Sequence, residues 1–155
     1  MKKLLLLCLL TCLLLSPASA HASGPESFML AETSGDPMAR MFFFFSTSAG
    51  GYVIRHDGMG EFTSPNKMRR VFYVNAGVKS RIERVYFLEH DHDVFLLYEI
   101  RGQGFVLVRM EQTKRKIRWS ASLGNLTGEA PSINGDVVRV GNGVEISTAD
   151  GSVVK

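Results

Sequence analysis

The segment "DVFLLYEIRGQGFVLVRM", Asp93 to Met110, decides the fold class of this chain. It contains two apolar runs rich in β-branched and aromatic residues, a composition typical of β-strands. Between them, "RGQG" (Arg101 to Gly104) favours a tight turn, because glycine reaches positive φ without steric cost. The segment therefore predicts two antiparallel strands joined as a hairpin.

Short strand-like runs continue on both sides of this hairpin. Glycine recurs every few residues between them, and no window keeps an apolar repeat at helical spacing for three turns. The other predicted strands are "MFFFFSTS" (41–48), "GGYVI" (50–54), "RRVFYV" (69–74), "RIERVYFL" (81–88), "KIRWSASL" (116–123), "DVVRV" (136–140), "VEIST" (144–148) and "SVVK" (152–155). We therefore predict an all-β fold of antiparallel hairpins, in a single domain over residues 40–155.

The run "MFFFFS" differs from the other strands because it has four consecutive phenylalanines, Phe42 to Phe45. Side chains alternate between the two faces of a strand, so these rings must lie on both faces. Either both faces are buried, as in a central strand, or one face meets a partner. Burial in the core is the simpler of these two interpretations.

The N-terminus has the pattern of a secretory signal peptide over residues 1–20. "MKK" is followed by the 12-residue run "LLLLCLLTCLLL" and by the small residues of "SPASA". A membrane-spanning helix needs roughly 20 apolar residues, so no stable membrane span is expected. We predict cleavage after Ala20 or Ala22 and a periplasmic or secreted protein. Residues 21–39 are predicted as a flexible lead-in with one short ordered segment around "FML" (28–30).

Removal of this signal peptide changes the chemistry that remains. The only two cysteines, Cys8 and Cys12, are lost with it, which excludes disulfides and thiolate chemistry. The chain has 18 Lys and Arg against 15 Asp and Glu, and two of the lysines lie in the signal. The remaining 16 basic residues against 15 acids give a net charge of about +1. A nucleic-acid-binding protein needs a clear basic excess, so this class is not expected.

Three segments share the order strand, short glycine turn, strand and polar turn. They are "RMFFFFSTSAGGYVIRHDGMGEF", "DVFLLYEIRGQGFVLVRMEQTKRKIRW" and "DVVRVGNGVEISTADGSVVK". Their spacing of 52 and 43 residues, counted between Phe42, Val94 and Val137, is typical of four-stranded propeller blades.

From Leu107 to Lys155 the chain resembles the repeat of PQQ-type β-propellers, in which a strand ends in Trp and an Asp-Gly turn opens the last strand. Of that family's motif Ala-x-Asp-x-x-x-Gly-x-x-x-Trp, only Trp119 is retained, with Arg109, Glu111 and Arg115 at the other positions. Gly151 and, as a partial match, Gly58 with Phe62 take further motif positions. The resemblance implies blade-like sheets and a packing role for Trp119. It does not imply a quinone enzyme.

Three blades are too few to close a ring, since propellers use four or more. The fold is therefore expected to be either a set of incomplete propeller-like blades or a β-sandwich. Incomplete blades leave sheet edges exposed, and exposed edges promote strand pairing. We expect a protein partner, or self-association, through these edges.

The segment "FLEHDHDVF", Phe87 to Phe95, raises the possibility of a metal site. In an extended strand His90 and His92 would share one face, and two imidazoles can bind Zn²⁺ or Cu²⁺ when a third ligand is present. The third ligand would be His56, or His21 as a new N-terminus. The simpler interpretation, and the one preferred here, is a polar turn between two apolar strands, in which the histidines are merely exposed.

The segment "TKRKIR", 113–118, is a basic cluster that precedes a predicted strand. One interpretation is contact with anionic lipid headgroups, glycans or an acidic partner. The other is a solvated hairpin end, whose lysine and arginine side chains protect a sheet edge from aggregation.

No sequence motif of a catalytic site is present. The chain has no G-x-S-x-G elbow and no phosphate-binding G-x-x-x-x-G-K loop, so a non-enzymatic protein without a cofactor is expected. The leading functional hypothesis is an exported β-sheet protein that acts as a protein-interaction or scaffold module in the cell envelope. The alternative is a periplasmic copper- or zinc-binding protein that uses His90 and His92, with His21 or His56.

Overall fold

The structure is a computed structural model that describes residues 24–35, 41–74, 81–127 and 130–155. The predicted signal peptide and His21 lie outside these ranges. The described residues form strands β1 to β14 and one 3-10 turn, Gly141–Gly143. The predicted all-β class is therefore confirmed, as three antiparallel sheets.

The three sheets are here called the front, middle and back sheets. The front sheet contains β3 (Glu32–Ser34), β4 (Phe42–Thr47), β5 (Gly50–Arg55), β6 (Met59–Thr63) and β7 (Arg69–Tyr73), in that order. The middle sheet contains, in spatial order, β11 (Lys116–Gly124), β10 (Gly104–Glu111), β9 (Asp93–Ile100), β8 (Ile82–His90) and β2 (Met29–Leu30). The back sheet contains β1 (Glu26–Ser27), β12 (Ser132–Asn134), β13 (Val137–Arg139) and β14 (Glu145–Ser147).

The sheets stack as a layered sandwich because the middle sheet is apolar on both faces. Along β9, Val94, Leu96 and Tyr98 join the core shared with the front sheet. The alternating residues Phe95 and Leu97 join a second core, shared with the back sheet. All five side chains are buried, which explains the unbroken apolar run "VFLLY".

Each sheet contains one meander, and the three meanders follow one another along the chain. The second strand of each begins at Gly50, Asp93 and Val137, so the repeat interval is 43 and then 44 residues. Each meander ends at the sheet edge farthest from where it began, and the chain then returns to start the next sheet. The residues at the C-terminus lie beside β14, where the Val154 N–H bonds the Glu145 carbonyl oxygen at 2.7 Å.

Residues Glu26–Ser34, here called the strap, cross all three sheets at the edge where the meanders begin. The strap supplies β1 to the back sheet, β2 to the middle sheet and β3 to the front sheet. Its Phe28 and Ala31 are buried in the two cores. The lead-in predicted as flexible, with one short ordered segment, thus contains three strands within its described part. The reason is backbone pairing with distant strands, as in the bond from Ala31 N–H to the Val85 carbonyl oxygen at 2.8 Å.

Candidate protein-binding face

The outward side of the front sheet, here called the front face, is unusually apolar. In β4, Phe43 and Phe45 point into the core, whereas Phe42 and Phe44 lie on the front face and are only partly buried. The run "MFFFFS" is therefore buried on one face alone. On its second face, Phe42 and Phe44 stay partly exposed.

Cross-strand pairing continues this apolar surface across the sheet. One row runs from Glu32 through Phe44, Val53 and Glu61 to Val71, each residue opposite the next on a neighbouring strand. A second row begins with Phe42, which lies opposite Arg55. At the far edge Met59 lies opposite Tyr73.

The edge strand β7 presents the most exposed part of the front face. Val71 is 58% exposed and Tyr73 is 56% exposed, while Phe72 between them is buried. Large apolar side chains in neighbouring positions on a surface mark interaction sites more often than scattered single ones do. The sequence "RRVFYV" predicts a strand, but it does not indicate which face of that strand is exposed to solvent.

Two ion pairs lie on or beside the front face. Arg69 contacts Glu61 at 2.5 Å, and Arg55 contacts Asp57 at 2.5 Å. Glu32 has no ion-pair partner among the described residues. The face therefore presents a nearly neutral apolar surface with charges at intervals, which is the composition of a protein-binding patch rather than of an anion-binding one.

A groove of about 540 Å³ connects the front face with the strap. Its lining includes Phe44 and Val53 of the face and Met29 and Leu30 of the strap. Met29 and Leu30 are 55% and 57% exposed. Gly51 also lines the groove, and its lack of a side chain leaves room there.

A polar cluster joins the front and middle sheets at one end of their shared core. The Glu89 carboxylate accepts bonds from the Ser48 N–H at 2.8 Å, from the Ser48 hydroxyl, and from the Gln112 amide at 2.7 Å. Partial burial alone would raise the pKa of Glu89, but these hydrogen bonds outweigh it and hold that pKa below its ordinary value. Burial raises the pKa of the nearby Tyr52 to about 12.

A buried ion pair lies at the junction of the middle and back sheets. The Asp93 side chain is only 4% exposed and contacts the Nε atoms of Arg109 at 2.5 Å and Arg118 at 2.9 Å. Arg109 also donates to the Thr148 carbonyl oxygen of the back sheet at 2.6 Å. Arg109 thus links Asp93 of the middle sheet to Thr148 of the back sheet, so the cluster fastens the two sheets together.

The turn "EHDHD" has a different geometry from the one assumed for a metal site. Asp91 and His92 have φ values of 49° and 64°, and they form the two-residue turn that joins β8 to β9. Positive φ at both positions is typical of a type I′ hairpin turn. The assumption that His90 and His92 lie on one extended strand is therefore wrong, because the chain reverses direction between them.

The two histidines also have different surroundings. His90 Nδ1 lies 3.1 Å from a Glu26 carboxylate oxygen, and its Nε2 lies 3.3 Å from Asp91. His92 is exposed at the end of the hairpin, and His56 lies in the turn that follows β5. In the described ranges no group of three or more His, Asp or Glu side chains is placed to hold a metal ion. Because His21 lies outside them, metal binding stays a prediction.

Comparisons with protein-family models, with curated proteins and with solved structures found no match. The resemblance to PQQ-type propeller repeats therefore stays a prediction. No helix in the described part of the chain is long and apolar enough to cross a membrane.

Proposed function

We propose that this chain is an exported, non-catalytic β-sheet protein that serves as a protein-interaction or scaffold module in the cell envelope. The front face is the proposed binding surface. The observation that carries the proposal is the exposure of Val71 and Tyr73 on the same face of the sheet as the partly buried Phe42 and Phe44, from which strands β5 and β6 separate them. Covering such a surface removes apolar area from water, at roughly 25 cal/mol for each Å².

The rigidity of the layers behind the front face supports this role. Phe43 and Tyr52, on the inner side of the same sheet, are almost fully buried in a core shared with the middle sheet. Binding surfaces on a packed scaffold lose little conformational entropy when a partner docks. The front face therefore has the support that a stable interaction needs.

The proposed location rests on the N-terminal sequence. The order of "MKK", the leucine run and "SPASA" is the order of a secretory signal, and it supports export followed by cleavage after Ala20 or Ala22. The mature protein is proposed to be periplasmic or secreted.

We also propose that the three meanders are blade-like repeats related to the PQQ-type propeller repeat. The repeat interval of 43 and 44 residues supports this relation. So does the packing of Trp119 against the turn at Gly151 in the next sheet. The proposed blades form an open stack, which leaves the front face free for a partner.

Site-directed photo-crosslinking tests the proposed binding surface in cells. A benzophenone amino acid is placed at Val71 or Tyr73 of the full chain, and at Asn134 as the matched control. Asn134 is exposed on the opposite, outward side of the back sheet. We expect a discrete crosslinked product from Val71 and Tyr73 that is absent at Asn134. Identical crosslinked products at all three positions would contradict the proposal. So would the absence of any crosslinked product together with a monomeric mass by light scattering.

A further inference from the structure

Among the strands that the structure describes, β11, Lys116–Gly124, is the longest with an open edge. It has nine residues and pairs with β10 on one side. On its other side, its backbone forms no hydrogen bond with any other described segment. The outward-pointing amide and carbonyl groups of β11 are therefore available to an added strand.

The other sheet edges are shorter or already paired. The strap covers one edge of each sheet with strands of two or three residues. The front sheet's far edge, β7, has five residues against the nine of β11. Among the described edges, β11 therefore offers the longest strand for a new pairing.

The bulges of β11 define where a strand would pair. Its register against β10 shifts at Arg118 and again near Gly124. Between the shifts, Trp119 to Ser122 pair regularly with β10, and this stretch contains no proline and no charge. Bulges twist an edge and end pairing, so the regular stretch between them is the proposed centre of the new ladder.

The N-terminal end of β11 is positively charged. Lys114 and Arg118 contact Glu111 at 3.3 Å and 3.6 Å, so those charges are partly neutralised. Lys116 is exposed and has no ion-pair partner among the described residues. Arg115 adds a further cation, with its guanidinium 4.2 Å above the Phe62 ring. The opposite end of β11, from Ser120 onward, is uncharged.

We propose that β11 accepts an extended acidic segment of a partner protein as an added antiparallel strand. Antiparallel pairing places the C-terminal end of that segment beside Lys116, so its acidic residues lie at that end. Backbone hydrogen bonds supply most of the affinity, and the charges set direction and register. β11 is a different surface from the front face, so the failure of one proposal does not decide the other.

A synthetic peptide tests the proposal directly. The probe is a fluorescent peptide of about ten residues that alternates Val and Thr and ends in four Glu. One control ends in four Lys. A second control keeps the four Glu but carries prolines at alternate positions, which removes its ability to pair as a strand. Binding to the mature chain is followed by fluorescence anisotropy, and amide hydrogen exchange is measured at Ser120 to Ser122.

We expect the acidic peptide to bind at least about tenfold more tightly than either control. We also expect Lys116→Glu to weaken it by about fivefold, while Lys67→Glu, an exposed charge reversal outside the middle sheet, leaves binding unchanged. Amide exchange at Ser120 to Ser122 should slow when the peptide binds. Equal binding of the proline peptide would show a purely electrostatic surface and overturn the proposal. Absence of binding by the acidic peptide would overturn it as well.

Discussion

Trp119 of the middle sheet donates its indole N–H to the Thr148 carbonyl oxygen of the back sheet, at 2.9 Å. Its ring lies directly over Gly151, where a Cβ atom would meet the ring carbon Cε3 at 2.6 Å. Gly151 also has φ of +76°, a conformation that residues with side chains rarely adopt. Trp119 and Gly151 therefore hold the second meander against the third.

Gly151→Ala is predicted to destabilise the protein through both effects. The matched control is Gly102→Ala, because Gly102 has φ of +73° and no atom within 4 Å of the added Cβ. We expect the control to lose about 1 kcal/mol of the free energy of unfolding. Gly151→Ala should lose a further 1–2 kcal/mol or so. Urea unfolding measures both, and equal losses would mean that the ring contact contributes nothing.

Asp93→Ala is predicted to be strongly destabilising because it leaves the Arg109 charge, whose side chain is only 20% exposed, without its carboxylate. Removing one partner of a buried pair costs about 3 kcal/mol or more. The matched control is Asp57→Ala, which breaks the exposed pair with Arg55 and should cost less than about 1 kcal/mol. The measurement is again urea unfolding. If the two losses are similar, the Asp93 cluster does not fasten the middle sheet to the back sheet.

Phe28→Ala tests whether the strap is part of the packed domain. Phe28 is 6% exposed between the middle and back sheets, so its truncation should cost about 3 kcal/mol. Met29→Ala changes the neighbouring side chain, which is 55% exposed, and should cost only a few tenths of a kcal/mol or so. A flexible lead-in would instead give two small and similar effects in thermal or urea unfolding.

The Glu89 cluster is predicted to make stability depend on acid pH. The pKa of Glu89 is lower in the folded protein than its ordinary value of 4.5, so ionised Glu89 favours the folded state. This contribution is complete above pH 4.5 or so and is lost as the pH falls through the folded-state pKa. Glu89→Gln should remove that part of the pH dependence. Unfolding curves between about pH 3 and 6 test it, and an unchanged slope in the variant would contradict it.

Metal titration tests the alternative function. His90 is engaged by Glu26 and Asp91, and His92 lies beyond the chain reversal. We therefore expect calorimetry with Cu²⁺ and Zn²⁺ to show binding no tighter than about micromolar. Tighter binding to the mature chain that disappears in His90→Ala/His92→Ala would favour the metal-binding hypothesis, with His21 as the third ligand.

The middle sheet could be predicted from sequence because its signals are local. The runs on either side of Arg101 to Gly104 are long, apolar and joined by a glycine turn, and they become β9 and β10 as expected. A repeated order of strands could also be predicted from sequence. The first predicted segment, however, begins in the first strand of its meander, whereas the other two begin in the second strand of theirs. That shift explains why the predicted spacing of 52 residues becomes an interval of 43 residues in the structure.

The strap could not be predicted, whereas for the histidine segment the sequence indicated the polar turn between two apolar strands but not its turn type. Strands of two or three residues are too short to show any alternation, and Glu26 pairs with Ile133, far away along the chain. The type I′ turn places Asp91 and His92 at positive φ, where Asn or Gly is the usual signal. The run "MFFFFS" indicated a strand that is apolar on both faces. The sequence of one strand does not determine which of its two faces another sheet will cover.

The strap also has a consequence for the order of assembly. The strap precedes all three meanders along the chain, yet its Glu26 and Ser27 pair with β12, the first strand of the last meander. Until β12 has formed, β1 has no strand to pair with. Until β1 then pairs with it, the β12 edge of the back sheet is exposed. Late, long-range pairing of this kind is slow and leaves strands liable to aggregate. We expect refolding to finish with a slow phase that Phe28→Ala alters, and the newly made chain to benefit from a chaperone until that step is complete.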